Sequence, residues 1–139
     1  MESAPTLVEV VRILQAAPLR RAHLANEATV RRVLTTALRA AFVNVGHEYF
    51  VGGYWGMRAD IDIGNGHIGV EVKLADTLQS AANVQRLFGQ AVYYSRRCYA
   101  DQLIVLVAGT TAASRRPEMQ EVAAFLKSLG VTYVCITTP

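Results

Sequence analysis

At 139 residues, with 52% hydrophobic and 18% charged side chains, the chain has the size of one domain. It can bury roughly two-thirds of its surface without help from disulfides or metals. This composition excludes a disordered or low-complexity chain, and no internal repeat is present. A net charge of +3 does not by itself specify a polyanionic partner, yet twelve of the fourteen cationic residues are arginine. Eight of these form the pairs Arg20/Arg21, Arg31/Arg32, Arg96/Arg97 and Arg115/Arg116. Such forks suit phosphate, and they also suit solvated helix surfaces. The longest strongly apolar run, Leu103 to Gly109, is far short of the ~20 residues of a spanning helix, so no membrane partner is expected. The first residues lack a basic segment followed by an uninterrupted apolar one, so a cytoplasmic location is expected. Cys98 and Cys135 have no CxxC spacing, and both are read as reduced.

In chain order, Pro5 to Gln15 carries Leu7, Val8, Val10, Val11 and Leu14 at helical spacing, and Pro18 ends that segment. From Asn26, a predicted N-cap, to about Val45, residues Val30, Val33, Leu34, Ala37, Leu38, Ala41 and Phe42 form a stripe that predicts a second helix. Gly46 to Trp55 reads as a strand. Residues 58 to 74, RADIDIGNGHIGVEVKL, then switch to period two around Asn65-Gly66. That pattern predicts two antiparallel strands joined by a type I′ turn. A helix over about Ser80 to Arg97 follows, with Ala81, Ala82, Phe88 and Val92 on its apolar side. DQLIVLVAG, residues 101 to 109, predicts a strand covered on both faces. Pro117 opens a last helix that Gly130 closes, leading into a final strand, VTYVCI. The expectation is one α/β domain over residues 1–139, a mixed sheet flanked by helices.

Gly64, Gly66 and Gly69 satisfy G-x-G-x-x-G, but a period-two run follows them where a dinucleotide site needs a helix N-terminus. The glycines therefore read as a tight turn and a small strand residue. No Walker A, HExxH or GxSxG pattern is present.

With Asn65 and Gly66 at the turn, Asp60 falls opposite Glu71, with Cβ atoms about 4.5–5.5 Å apart. Lys73, Arg58 and Asp62 are expected on the same face, and Ile61, Ile63, Ile68, Val70 and Val72 on the other. Two facing carboxylates repel unless something positive lies between them. Lys73 and Arg58 could supply that charge as an ion-paired hairpin, or a divalent cation could. All-oxygen ligands suit Mg²⁺ or Mn²⁺, and a lysine beside such an ion can stabilise charge on a phosphoryl oxygen.

These residues resemble the PD-(D/E)XK nuclease superfamily of restriction-endonuclease-like folds. Glu71-Val72-Lys73 matches its (D/E)XK tripeptide, and Asp60 matches the preceding aspartate, with Ala59 in place of the proline. Glu27 is similar to the acidic residue of the helix before the strands, although a first-turn acid also suits the helix dipole. Gln90 and Tyr94 resemble the QxxxY motif of exonuclease-like members. The resemblance spans residues 26 to 109 and implies an αβββαβ core. It implies Mg²⁺ (or Mn²⁺) held by Asp60, Glu71 and the Val72 carbonyl, with Lys73 orienting the attacking water or stabilising the charge that develops at phosphorus. Glu27 would bridge to the metal through water or help hold a second ion, and Gln90 and Tyr94 would support the site. On the third helix Asn83, Arg86, Gln90, Tyr94 and Arg97 share a polar face at helical spacing; it could contact nucleic acid or be simply solvated. The implied activity is hydrolysis of nucleic acid, DNA foremost, with low sequence specificity. Members are often dimers, and residues 1–18 and 115–139 lie outside the core, where a homodimer would form. A catalytically inactive module that binds nucleic acid or a protein is the alternative.

Overall fold

A computed structural model describes residues 4–52 and 57–139. Thr6 accepts the Glu9 N–H and starts α1 (Leu7–Ala16). Asn26 accepts the Thr29 N–H at 2.8 Å, as its predicted N-cap role requires, and starts α2 (Glu27–Arg39). α2 ends six residues earlier than the periodicity predicts. Phe42 still packs on the core, but Val43 is exposed and Val45, facing Ile63, opens β1 (Val45–Gly52). The strand expected over Gly46 to Trp55 coincides with β1, its last residues lying outside the described ones.

β2 (Met57–Ile63) and β3 (Ile68–Leu74) form the predicted hairpin, in the predicted register. Its link is Gly64–His67, with φ of +78° at Gly64, +53° at Asn65 and +93° at Gly66. Asn65 and Gly66 thus have the left-handed φ of a type I′ turn, and Gly64 adds a third such residue. The element after these glycines is a strand. A 3₁₀ turn (Ala75–Gln79) leads to α3 (Ala81–Tyr93), followed by β4 (Leu103–Thr110), a short α4 (Thr111–Ser114), α5 (Pro117–Ser128) and β5 (Thr132–Thr138). α5 closes as predicted on Gly130, φ +81°. The Gly130 N–H reaches Lys127 O and the Val131 N–H reaches Leu126 O, a Schellman cap.

The sheet order is β1-β2-β3-β4-β5, with the first three strands antiparallel and β3, β4 and β5 parallel. Helices flank it on both faces. On one, Val10, Leu14, Val30, Leu34 and Leu38 of α1 and α2 pack on Ile61, Ile63, Ile68, Val70 and Val72. On the other, Leu87, Ala91, Met119, Val122 and Leu126 of α3 and α5 pack on Leu103, Val105 and Val107. No described helix is long and apolar enough to cross a membrane.

The apolar side of α3 differs from the predicted one. Leu87, Ala91 and Tyr94 are buried with Val84 and Phe88 beside them, whereas Ala81, Ala82 and Val92 are exposed. Leu87, Ala91 and Tyr94 are spaced i, i+4, i+7 and define the true stripe. The helix also does not continue regularly to Arg97. Tyr94–Cys98 is a π turn, closed by Tyr99 N–H on Tyr94 O at 2.9 Å. The wider turn puts Tyr94 and Tyr99, five residues apart, on one side. Both hydroxyls hold β2: Tyr94 donates to Arg58 O and Tyr99 to Asp62, each at 2.8 Å.

Candidate active site

The β2–β3 ladder pairs Ile61 with Val70, Asp62 with Gly69 and Ile63 with Ile68. At the next position outward, carboxylates take the place of strand carbonyls. Val72 N–H donates to Asp60 Oδ2 at 2.8 Å, and Asp60 N–H to Glu71 Oε1 at 3.2 Å. A strand pair that parts must satisfy its amides elsewhere, and these two acids do so. Ile61 belongs to the α1/α2 cluster while Ala59, two residues away, belongs to the α3/α5 cluster. The face β2 turns to each layer therefore changes at Asp60.

Glu71 is only 3% exposed. Burial, and next the negative charge of Asp60, push its pKa up to about 8; the Lys73 charge and the Asp60 amide pull the other way, and Glu27 adds to the rise. Glu27 reaches across from the first turn of α2 to accept the Leu74 N–H at 3.2 Å, so it both faces inward and occupies the helix start. One turn on, Arg31 Nη1 lies 3.7 Å from Asp60 Oδ1. Lys73 pairs in register with Val107, which places it on the α3 side, half-buried and without a hydrogen bond or ion pair among the described residues. Gln90 Oε1, on α3, is likewise buried without a protein partner.

Asp60, Glu71, Lys73 and Glu27 thus converge on one opening in the sheet. Val72 contributes its backbone there. Tyr94 departs from the polar face expected of it: it is buried, its hydroxyl is committed to Arg58 O, and burial with the Glu71 and Asp60 charges pushes its pKa up to about 12. It supports the site from behind rather than facing solvent. Arg86 and Arg97 are exposed as expected, although the π turn displaces Arg97 from helical spacing. Asp62 is buried and its oxygens are occupied, Oδ1 by Gly66 N–H at 2.9 Å and Oδ2 by Tyr99. It ties the turn to the π segment and stands apart from the opening. Arg31 is the site residue that the sequence pattern passed over. Its signal was the spacing Glu27, Arg31, Thr35, Arg39, one residue per turn of α2.

Among the described residues no group of three or more His, Cys, Asp or Glu side chains is placed to hold a metal ion. The donor set to be weighed is therefore two carboxylates and a backbone carbonyl. That set suits Mg²⁺, which takes one or two carboxylates and keeps several waters. A buried acid held against a second acid fits such an ion.

The raised Glu71 pKa has a measurable consequence. Its folded-state value lies above the ordinary 4.5, so the carboxyl stabilises the fold fully below about pH 4.5, and that contribution is lost as pH rises through about 8. Glu71→Gln keeps the Oε1 acceptor and abolishes the titration. Without divalent cations, the wild-type Tm is expected to fall relative to that of Glu71→Gln by several degrees between about pH 5 and 9. Melting curves that stay parallel across this range would place the Glu71 titration at ordinary carboxylate values.

No protein-family model, curated protein or solved structure matches this chain.

Proposed function

We propose that the protein is a divalent-metal-dependent nuclease that hydrolyses phosphodiester bonds of nucleic acid, DNA foremost. One observation carries the reading. Glu71 is buried against Asp60 where the ladder opens, with the Lys73 ammonium on the same strand uncommitted to any described side chain. The two amides these acids hold could be held by ordinary strand carbonyls, without the repulsion of two neighbouring acids. The (D/E)XK resemblance assigns this arrangement to phosphodiester chemistry. Asp60, Glu71 and the Val72 carbonyl would hold Mg²⁺ or Mn²⁺. When bound, the ion lowers the pKa of water and stabilises negative charge on phosphoryl oxygens. Lys73 offsets charge building on the phosphoryl group as water attacks phosphorus and the bond to the leaving oxygen breaks. Glu27 fixes the end of β3, and Gln90 brings a buried, unpartnered Oε1 from α3.

Arg31 beside Asp60 favours a second reading, an inactive module of the same fold that binds nucleic acid or a protein. The deciding assay incubates the purified protein with circular and linear DNA in Mg²⁺, Mn²⁺ or chelator, beside Glu71→Ala. Cleavage lost both in chelator and in the variant is expected. DNA binding without any cleavage selects the second reading, and cleavage indifferent to both changes sinks the first. Cutting of the circle identifies an endonuclease.

A further inference from the structure

We propose that the cleft between α2 and β1 is a phosphate subsite that takes a backbone phosphate flanking the scissile bond. The identity of the ligand as a nucleic-acid strand rests on the nuclease reading above. Arg31, Arg32 and Arg39 of α2 and His47 of β1 line this cleft with Thr36, whose hydroxyl donates to Arg32 O at 3.0 Å. No aspartate or glutamate is among the described lining residues. Arg31 has Asp60 as a counter-ion, whereas Arg32 and Arg39 have no ion pair among the described residues, so an anion in the cleft is attracted to both. The cleft is also preorganised. Arg39 Nε donates to Val45 O at 3.2 Å, which fixes its guanidinium against β1. Arg32 is exposed one residue past Arg31 and reaches the same cleft. Arg31 lines the cleft and also lies 3.7 Å from Asp60, so cleft and carboxylate pair adjoin. A planar fork that donates two parallel hydrogen bonds matches a phosphodiester, and three forks spread over about two turns of one helix match an extended anionic backbone better than a small carboxylate.

The test uses the whole chain in chelator, so that no substrate is cut, and follows fluorescence anisotropy of a labelled single-stranded oligodeoxynucleotide over a range of salt. Arg32→Gln is compared with Lys127→Gln, which removes the same charge from the exposed last turn of α5. Arg32→Gln is expected to weaken binding about three- to tenfold and to reduce the slope of log K against log salt by about 1. It should also raise KM in the metal-containing cleavage assay with little change in kcat. Inorganic phosphate should compete with the oligonucleotide for wild type more effectively than for Arg32→Gln. Equal affinity and slope for the two variants overturn the subsite, and metal-dependent cleavage that persists alongside leaves the nuclease reading standing. A changed slope in a protein that cuts nothing supports the subsite and overturns the nuclease reading. Inorganic phosphate that binds more tightly than the oligonucleotide marks a free-phosphate site and overturns the proposal.

Discussion

Lys73→Ala is expected to lower cation-dependent DNA hydrolysis by about 10²–10³-fold, the loss typical of removing one group aimed at developing charge. The fold should survive, because Lys73 is half-buried and makes no described hydrogen bond or ion pair. A second effect travels with the first. The Lys73 charge holds down the Glu71 pKa, so its removal raises that value further and shifts the pH at which Glu71 becomes available to a cation upward. The pH–rate profile of the residual activity is therefore expected to move to higher pH, which a merely structural lysine would not cause. Lys73→Arg keeps the charge and should restore the profile, but restore the rate only in part, because a wide planar fork replaces a compact ammonium. Single-turnover hydrolysis measured across pH, together with thermal melts, checks both parts. Unchanged turnover in Lys73→Ala removes Lys73 from the chemistry.

The second large effect lies behind the site. A Cβ at Gly69 would come 2.3 Å from Tyr99 Cε2 and 2.6 Å from Cδ2 and Cζ. The ring cannot retreat freely, because its hydroxyl is tied to buried Asp62 and its backbone N–H closes the π turn. Gly69→Ala is expected to cost about 3 kcal/mol and lower the Tm by about 10 °C. Relief should come from shrinking the ring: Gly69→Ala combined with Tyr99→Ala should fall short of the sum of the two single losses. Strict additivity in calorimetric melts would show that the two positions do not meet.

Much of this arrangement is legible in the residues because strand periodicity and turn chemistry agree. Ile61, Ile63, Ile68 and Val70 fix which face of the hairpin is buried, and Asn65-Gly66 fixes the register, so Asp60 and Glu71 are forced to neighbouring positions. The N-cap Asn26, the closing Gly130 and the burial of residues 103–109 follow from equally local chemistry. Other features depend on partners distant in the chain. Asp62 looks like a third acid of the site until Tyr99, thirty-seven residues on, claims its Oδ2. Tyr94 has the spacing of a polar face with Gln90, yet it completes the buried stripe of Leu87 and Ala91 and its hydroxyl is held by Arg58 O. Arg31 reads as half of a surface pair until β2 brings Asp60 beneath it. The α2 stripe continues past Arg39 into Phe42 on paper, but pairing of Val45 with Ile63 outweighs helix continuation.

The parting of β2 from β3 carries a further consequence. The amide proton of Val72 is held by a side-chain carboxylate rather than by a main-chain carbonyl of the sheet. Its isotope-exchange rate and chemical shift therefore track the charge and occupancy of Asp60, while the amides of Ile104 and Leu106 on the neighbouring strand report the integrity of the sheet. A single backbone resonance can thus distinguish a bound ion from a proton without any substrate being present.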